Sequence, residues 1–116
     1  MFELFDIERG DDGAVIGARC RIDAGWPGFD GHFPGRPLLP AVAQLRLAEA
    51  LLAQAGDGTA RLGGGRALKF LKPVLPGDTL QLRLQRLASG DYRFTLGDAD
   101  GVRTRGTLQV DGAALA

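Results

Sequence analysis

Residues Ala41–Ala55, AVAQLRLAEALLAQA, are strong helix formers, and they stop before the breaker cluster Gly56-Asp57-Gly58. Pro40 suits the opening of this helix, where its missing N–H would have no intrahelical partner. At about 100° per residue, Val42, Leu45, Leu47, Leu51 and Leu52 occupy nearly every sector. A helix apolar on most sides is a buried one. The rest of the chain must therefore wrap it, and with no second helix in the pattern the wrapping material is a sheet. The chain has 116 residues, 45% of them hydrophobic. That suits one domain, 1–116, with a core of its own rather than a disordered segment.

The strands needed for such a wrap are visible. Phe2–Arg9 and Ala14–Ile22 flank Gly10-Asp11-Asp12-Gly13 and read as a hairpin. After the helix come Arg61–Leu62, a break at Gly63-Gly64-Gly65, and a further segment Arg66–Val74 that ends at the turn Pro76-Gly77-Asp78. Thr79–Leu87 alternates cleanly, with Leu80, Leu82 and Leu84 on one face. Ser89-Gly90-Asp91 turns the chain into Tyr92–Leu96, and Asp98–Gly101 turns it again into Val102–Val110. One apolar helix with antiparallel strands on both sides of it in sequence is an α+β pattern: a curved antiparallel sheet around a central helix. Asp23–Leu39, rich in glycine, proline and aromatics, fits neither period and reads as a structured loop.

Charge and cysteine content narrow the function. Fourteen basic and fourteen acidic residues cancel, which argues against a nucleic-acid surface, since that needs a basic excess to replace counterions. Cys20 is the only cysteine, so neither an internal disulfide nor a cysteine-rich zinc site can form. It reads as a small strand residue in a reducing compartment. The N-terminus MFELFDIERGDDG is acidic where a signal peptide is basic, and the helix is interrupted by Gln44, Arg46, Glu49 and Gln54. Neither a targeting signal nor a membrane span is expected, and the expected location is the cytoplasm.

The only histidine, His32, lies in the loop just before the helix, within Gly31-His32-Phe33-Pro34-Gly35-Arg36-Pro37-Leu38-Leu39-Pro40-Ala41. This run resembles the active-site signature of the hotdog-fold 3-hydroxyacyl-acyl-carrier-protein dehydratases, Gly-His-Phe-Pro-Gly-x-Pro-x-x-Pro-Gly leading into the central helix. Lys69-Phe70-Leu71-Lys72-Pro73-Val74-Leu75-Pro76-Gly77-Asp78-Thr79-Leu80 resembles the same family's second motif, Phe-x-x-Pro-Val-x-Pro-Gly-Asp. The resemblance covers about Phe29 to Leu84. It implies a hotdog fold that forms dimers or larger oligomers and acts on acyl thioesters carried by the phosphopantetheine of an acyl carrier protein or by coenzyme A. Nothing in the sequence resembles a metal site, a phosphate loop or a nucleotide fingerprint, so no cofactor or metal is expected. Dehydratases of aryl-polyene and polyketide-like pathways belong to the same family.

Dehydration of a 3-hydroxyacyl thioester removes a proton from C2 and hydroxide from C3, so it needs a base, an acid and a holder for the enolate-like oxygen. The resemblance makes His32 the base, an imidazole titrating near working pH. It makes the backbone N–H of Ala41, at the helix tip, the oxyanion donor. Ala41 stands where the family usually has glycine. Gly35 and the neighbouring prolines would fix the loop, and Phe33 belongs to the substrate-binding run.

The departure is Arg46. It occupies the position, 14 residues after the histidine, where the family carries its helix acid, and a guanidinium cannot protonate a leaving hydroxyl. Glu49, one turn further on, or Asp30 is a relocated acid on one reading. On a second, the chain is a hotdog thioesterase or isomerase, with Arg46 gripping an anionic acyl group. On a third, it is a non-catalytic acyl-binding subunit or the heterodimer partner of a related hotdog chain. On a fourth, His32 alone serves as base and acid. Arg46 is expected to pair with Glu49 or with an acid of a second subunit, because a buried unpaired arginine is costly. Lys69, Lys72, Arg61 and Arg66 bracket the second motif and are candidate contacts for an acidic carrier protein. Trp26 and Phe29 are candidates for an acyl pocket or a dimer seam.

Overall fold

The computed structural model describes residues 2–10, 15–23, 41–55, 61–75 and 77–111. His32, Phe33, Gly35, Asp30, Trp26 and Phe29 all lie outside the described residues. The order of elements is β1 (Phe2–Arg9), β2 (Val15–Ile22), α1 (Ala41–Ala55), β3 (Arg61–Phe70), β4 (Thr79–Arg86), β5 (Tyr92–Asp98) and β6 (Gly101–Asp111). The six strands form one sheet in the order β1-β2-β4-β5-β6-β3, and every neighbouring pair is antiparallel.

The expected alternation decides which face is covered. In β4, Leu80, Leu82 and Leu84 are buried while Gln81 and Arg83 are exposed. Ile16, Cys20 and Ile22 of β2, with Tyr92, Phe94 and Leu96 of β5, complete the inner face. Against it lie Ala43, Leu47, Ala48, Leu51 and Leu52 of α1. A buried hydrogen bond ties helix to sheet: the Thr104 hydroxyl donates to Gln44 Oε1 at 2.6 Å. Only one side of α1 is buried in this way. Leu45 and Glu49 are half-buried and Arg46 is exposed, so the sheet covers less of the helix than its all-round apolar pattern predicts. Among the described residues, the sheet buries one flank of the helix and leaves Arg46 exposed beside β3.

The edge strand β3 departs from expectation. The three glycines lie inside the strand instead of breaking it, and β3 ends at Phe70 rather than continuing to Val74. Pairing with β6 holds the segment in place, with register shifts at Leu62/Gly64 and at Arg66/Lys69. Close approach favours glycine on the paired strand: a Cβ on Gly106 would sit 2.4 Å from the Leu68 side chain and 3.1 Å from its Cα. At the second shift Ala67 takes φ +53°, a left-handed conformation typical of a bulge.

Beyond β3 the second motif is anchored at both ends. Leu71 and Lys72 donate backbone N–H to the Arg103 carbonyl, while Gly77 donates to Ile22 and Ile22 to Asp78. The Arg103 guanidinium binds the Pro73 carbonyl at 2.7 Å, Asp78 at 3.1 Å and Asp98 at 2.5 Å. The turn is thereby fixed to the end of β2, where the His32-bearing segment begins. Cys20 is fully buried, and desolvation pushes its thiol up to about 11, against a smaller opposing effect of a backbone hydrogen bond from Leu80.

Two measurements check this account. Leu51→Ala removes a fully buried side chain and is expected to cost about 2–5 kcal/mol in urea unfolding. The Arg103 hydrogen bond holds the Asp98 carboxyl below its ordinary 3.8. Its contribution is complete above that value and is lost as pH falls through the lowered native pKa. Asp98→Asn is therefore expected to flatten the acid limb of the stability–pH curve and leave the alkaline limb unchanged.

Candidate active site between the helix and the glycine edge

Helix α1 begins at Ala41, where the first signature run ends, so the run's last residue supplies the first turn. The opening N–H groups of a helix lack intrahelical acceptors and lie at the positive end of its dipole. Such a tip can receive a developing oxyanion.

Further along, on the flank beside the β3 edge of the sheet, Leu45, Arg46 and Glu49 line a cleft of about 330 Å³ closed on its other side by Leu62 and Gly63–Gly65 of β3. With no side chains on the three glycines, that wall is backbone. Glu49 Oε2 accepts the Leu62 backbone N–H at 3.0 Å. That bond links helix to edge strand. Arg46 makes no ion pair or hydrogen bond among the described residues. The expected Arg46–Glu49 pair is therefore not formed within the chain. The physical reason is twofold: Arg46 is solvated, so it needs no partner, and the edge-strand amide has taken the carboxylate.

The other expected residues fare differently. Lys69 and Lys72 are exposed. Arg66 is bound to Asp91 at 2.8 Å, and Arg61 also has a partner. Among the described residues no group of three or more His, Cys, Asp or Glu side chains is placed to hold a metal, and no helix is long and apolar enough to cross a membrane. Sequence reasoning missed the Arg103 clamp, whose carboxylate partners Asp78 and Asp98 are 25 and 5 residues away. It also missed the Glu49–Leu62 bond, because a backbone donor 13 residues off leaves no side-chain signature.

Among the described residues, one helix laid across a curved antiparallel sheet in this strand order, with a cleft beside the helix, is the hotdog arrangement. The ApeI-like family, described as ApeI dehydratase, matches residues 8–107. A 3-hydroxyacyl-[acyl-carrier-protein] dehydratase FabZ of Thermomicrobium roseum is 39% identical over 97 residues, covering 77% of this chain and 63% of that protein. The FabZ of Myxococcus xanthus is 35% identical over 113 residues, covering 90% and 69%. The match thus spans a little under two thirds of the first relative and a little over two thirds of the second. The Dehydratase Heterocomplex ApeI:P from Xenorhabdus doucetiae superposes with a TM-score of 0.76 at 26% identity, covering 97% of this chain and 99% of that one. The chain belongs to the ApeI-like dehydratase family.

Substitution separates the two helix residues. Glu49→Ala leaves the Leu62 amide without its acceptor and is expected to lose about 1–3 kcal/mol. Arg46→Ala is expected to stay within about 0.5 kcal/mol. Chemical denaturation of both variants reads the difference.

Proposed function

We propose that the chain is a dehydratase of 3-hydroxyacyl thioesters. The substrate arrives on the phosphopantetheine of an acyl carrier protein, or on coenzyme A, and the chain uses no cofactor of its own. The observation that carries this reading is the start of α1 at Ala41, the residue that closes the histidine-bearing run. Family membership supports it. The active form pairs the hotdog domain, 1–116, with a second copy in the cytoplasm. β3 is an edge strand, and Phe70, Leu71 and Leu75 at and beyond its end are exposed. Exposed edges and apolar patches of this kind call for a cover.

In the proposed reaction His32 takes the C2 proton and the Ala41 N–H holds the enolate-like thioester oxygen, while Phe33 and Gly35 shape the approach. The C3–O bond then breaks. The hydroxyl leaves as water with a proton from Glu49, the carboxyl that lines the cleft, and the proton on His32 passes to Glu49 to reset the pair. The products are the 2-enoyl thioester and water. Arg46 takes no part in proton transfer.

A second reading is favoured by two observations together: Arg46 at the acid position, and the similarity to a chain of a dehydratase heterocomplex. Here the protein is one half of a mixed pair, and a related hotdog subunit supplies the acid.

Dehydration of a 3-hydroxybutyryl thioester and hydration of a crotonyl thioester test both readings. The native chain is expected to turn over, His32→Ala to lose about 10²–10⁴-fold, and Glu49→Gln to fall by a similar factor. Turnover that appears only in Arg46→Glu, or only after a related hotdog subunit is added, establishes the second reading. Unchanged turnover in His32→Ala overturns the mechanism.

A further inference from the structure

Zero net charge conceals a strong segregation. Strands β2 to β6 hold ten of the fourteen basic residues and only two of the fourteen acidic ones, Asp98 and Asp111, each the last residue of its strand. The inner face of the sheet is apolar, so these cations gather on the outer face and at strand ends. Several have a carboxylate provided: Arg19 has Asp6, Arg66 has Asp91, and Arg103 has Asp78 and Asp98.

Lys69, Arg93 and Arg105 have none among the described residues. They line one concavity of about 490 Å³ on the outer face, together with the hydroxyl-bearing Thr95 and Thr107, and no carboxylate lines it. Lys69 and Arg105 are register partners across β3 and β6. Arg105 in turn faces Thr95, and Arg93 faces Thr107, across β5 and β6. Like charges directly opposite on antiparallel strands are destabilising. The hollow lies at the Ala67 bulge, where the β3 register shifts. A dent in a sheet lined by three unneutralised cations and two hydroxyls is matched by a compact multivalent anion with several acceptor oxygens. Two guanidinium forks favour phosphate, which they bind bidentately.

We propose that this outer-face concavity binds the phosphate or pyrophosphate group of a small molecule, held by Arg93, Arg105 and Lys69 with the Thr95 and Thr107 hydroxyls. The site is independent of the thioester chemistry, and His32→Ala is expected to bind as the native chain does.

Calorimetric titration of the full chain at low salt tests the site, with pyrophosphate and adenosine 3′,5′-bisphosphate as probes and citrate as the carboxylate comparison. The two probes distinguish a bare phosphate from a nucleotide source. Saturable binding of at least one phosphate probe is expected, at least tenfold tighter than citrate. Arg105→Gln and Arg93→Gln are each expected to weaken it at least tenfold, and Arg19→Gln, a neutralised cation of the same sheet, to change it less than twofold. Lys69→Glu supplies the missing countercharge: it is expected to raise the melting temperature of the free protein and abolish the rise produced by pyrophosphate. Absence of saturable phosphate binding, equal binding of citrate, or equal weakening by Arg19→Gln overturns the proposal.

Discussion

A single helical stripe lies across the inner face of a six-stranded sheet, and that contact governs everything else. Leu47, Leu51 and Leu52 are shielded from water by strands that would otherwise expose Leu80, Leu82, Leu84, Phe94 and Leu96. Neither layer could stand alone in water, because each offers a whole apolar face. Their union sets the direction of α1, and hence where its first turn points. The Gln44–Thr104 hydrogen bond pins the helix against sliding, since moving it along the sheet would strand two buried polar groups. The flank that carries Arg46 stays exposed.

That exposed flank explains the unusual pairing at the cleft. In a fully wrapped helix Arg46 would need a carboxylate. Here water solvates the guanidinium, and Glu49 is released to bridge to the amide of Leu62. The guanidinium of Arg46 stays exposed on the helix, while the carboxyl one turn away braces the opposite wall. The glycine run beside it keeps that wall free of side chains.

Much of the architecture was legible in the chain. The helix bounds at Ala41 and Ala55 follow from a proline, a run of helix formers and a glycine stop. β4 follows from leucine alternation, and the hairpins from their Gly and Asp turns. The edge strand was not legible, because glycine weakens a strand intrinsically and its pairing with β6 is a tertiary fact that no local window contains. The one-sided burial of α1 was hidden for a related reason: periodicity reports which sectors are apolar, not which ones the sheet can reach. Arg46 was marked by its spacing from His32, but its freedom from Glu49 depended on a backbone donor in another element. The clamp at Arg103 was equally hidden, since it joins β6 to two turns through carboxylates that look solvated in sequence. The histidine-bearing run, read from its motif alone, lies outside the described residues.

The lone thiol of Cys20 lies in the middle of the sheet's covered face with its ionisation suppressed, so the native molecule presents no nucleophilic sulfur to solvent. An alkylating reagent can therefore report only on molecules whose β2 has parted from its neighbours. The chain carries a built-in clock for cooperative opening, readable by mass without an engineered label and silent toward fraying of the glycine-lined edge.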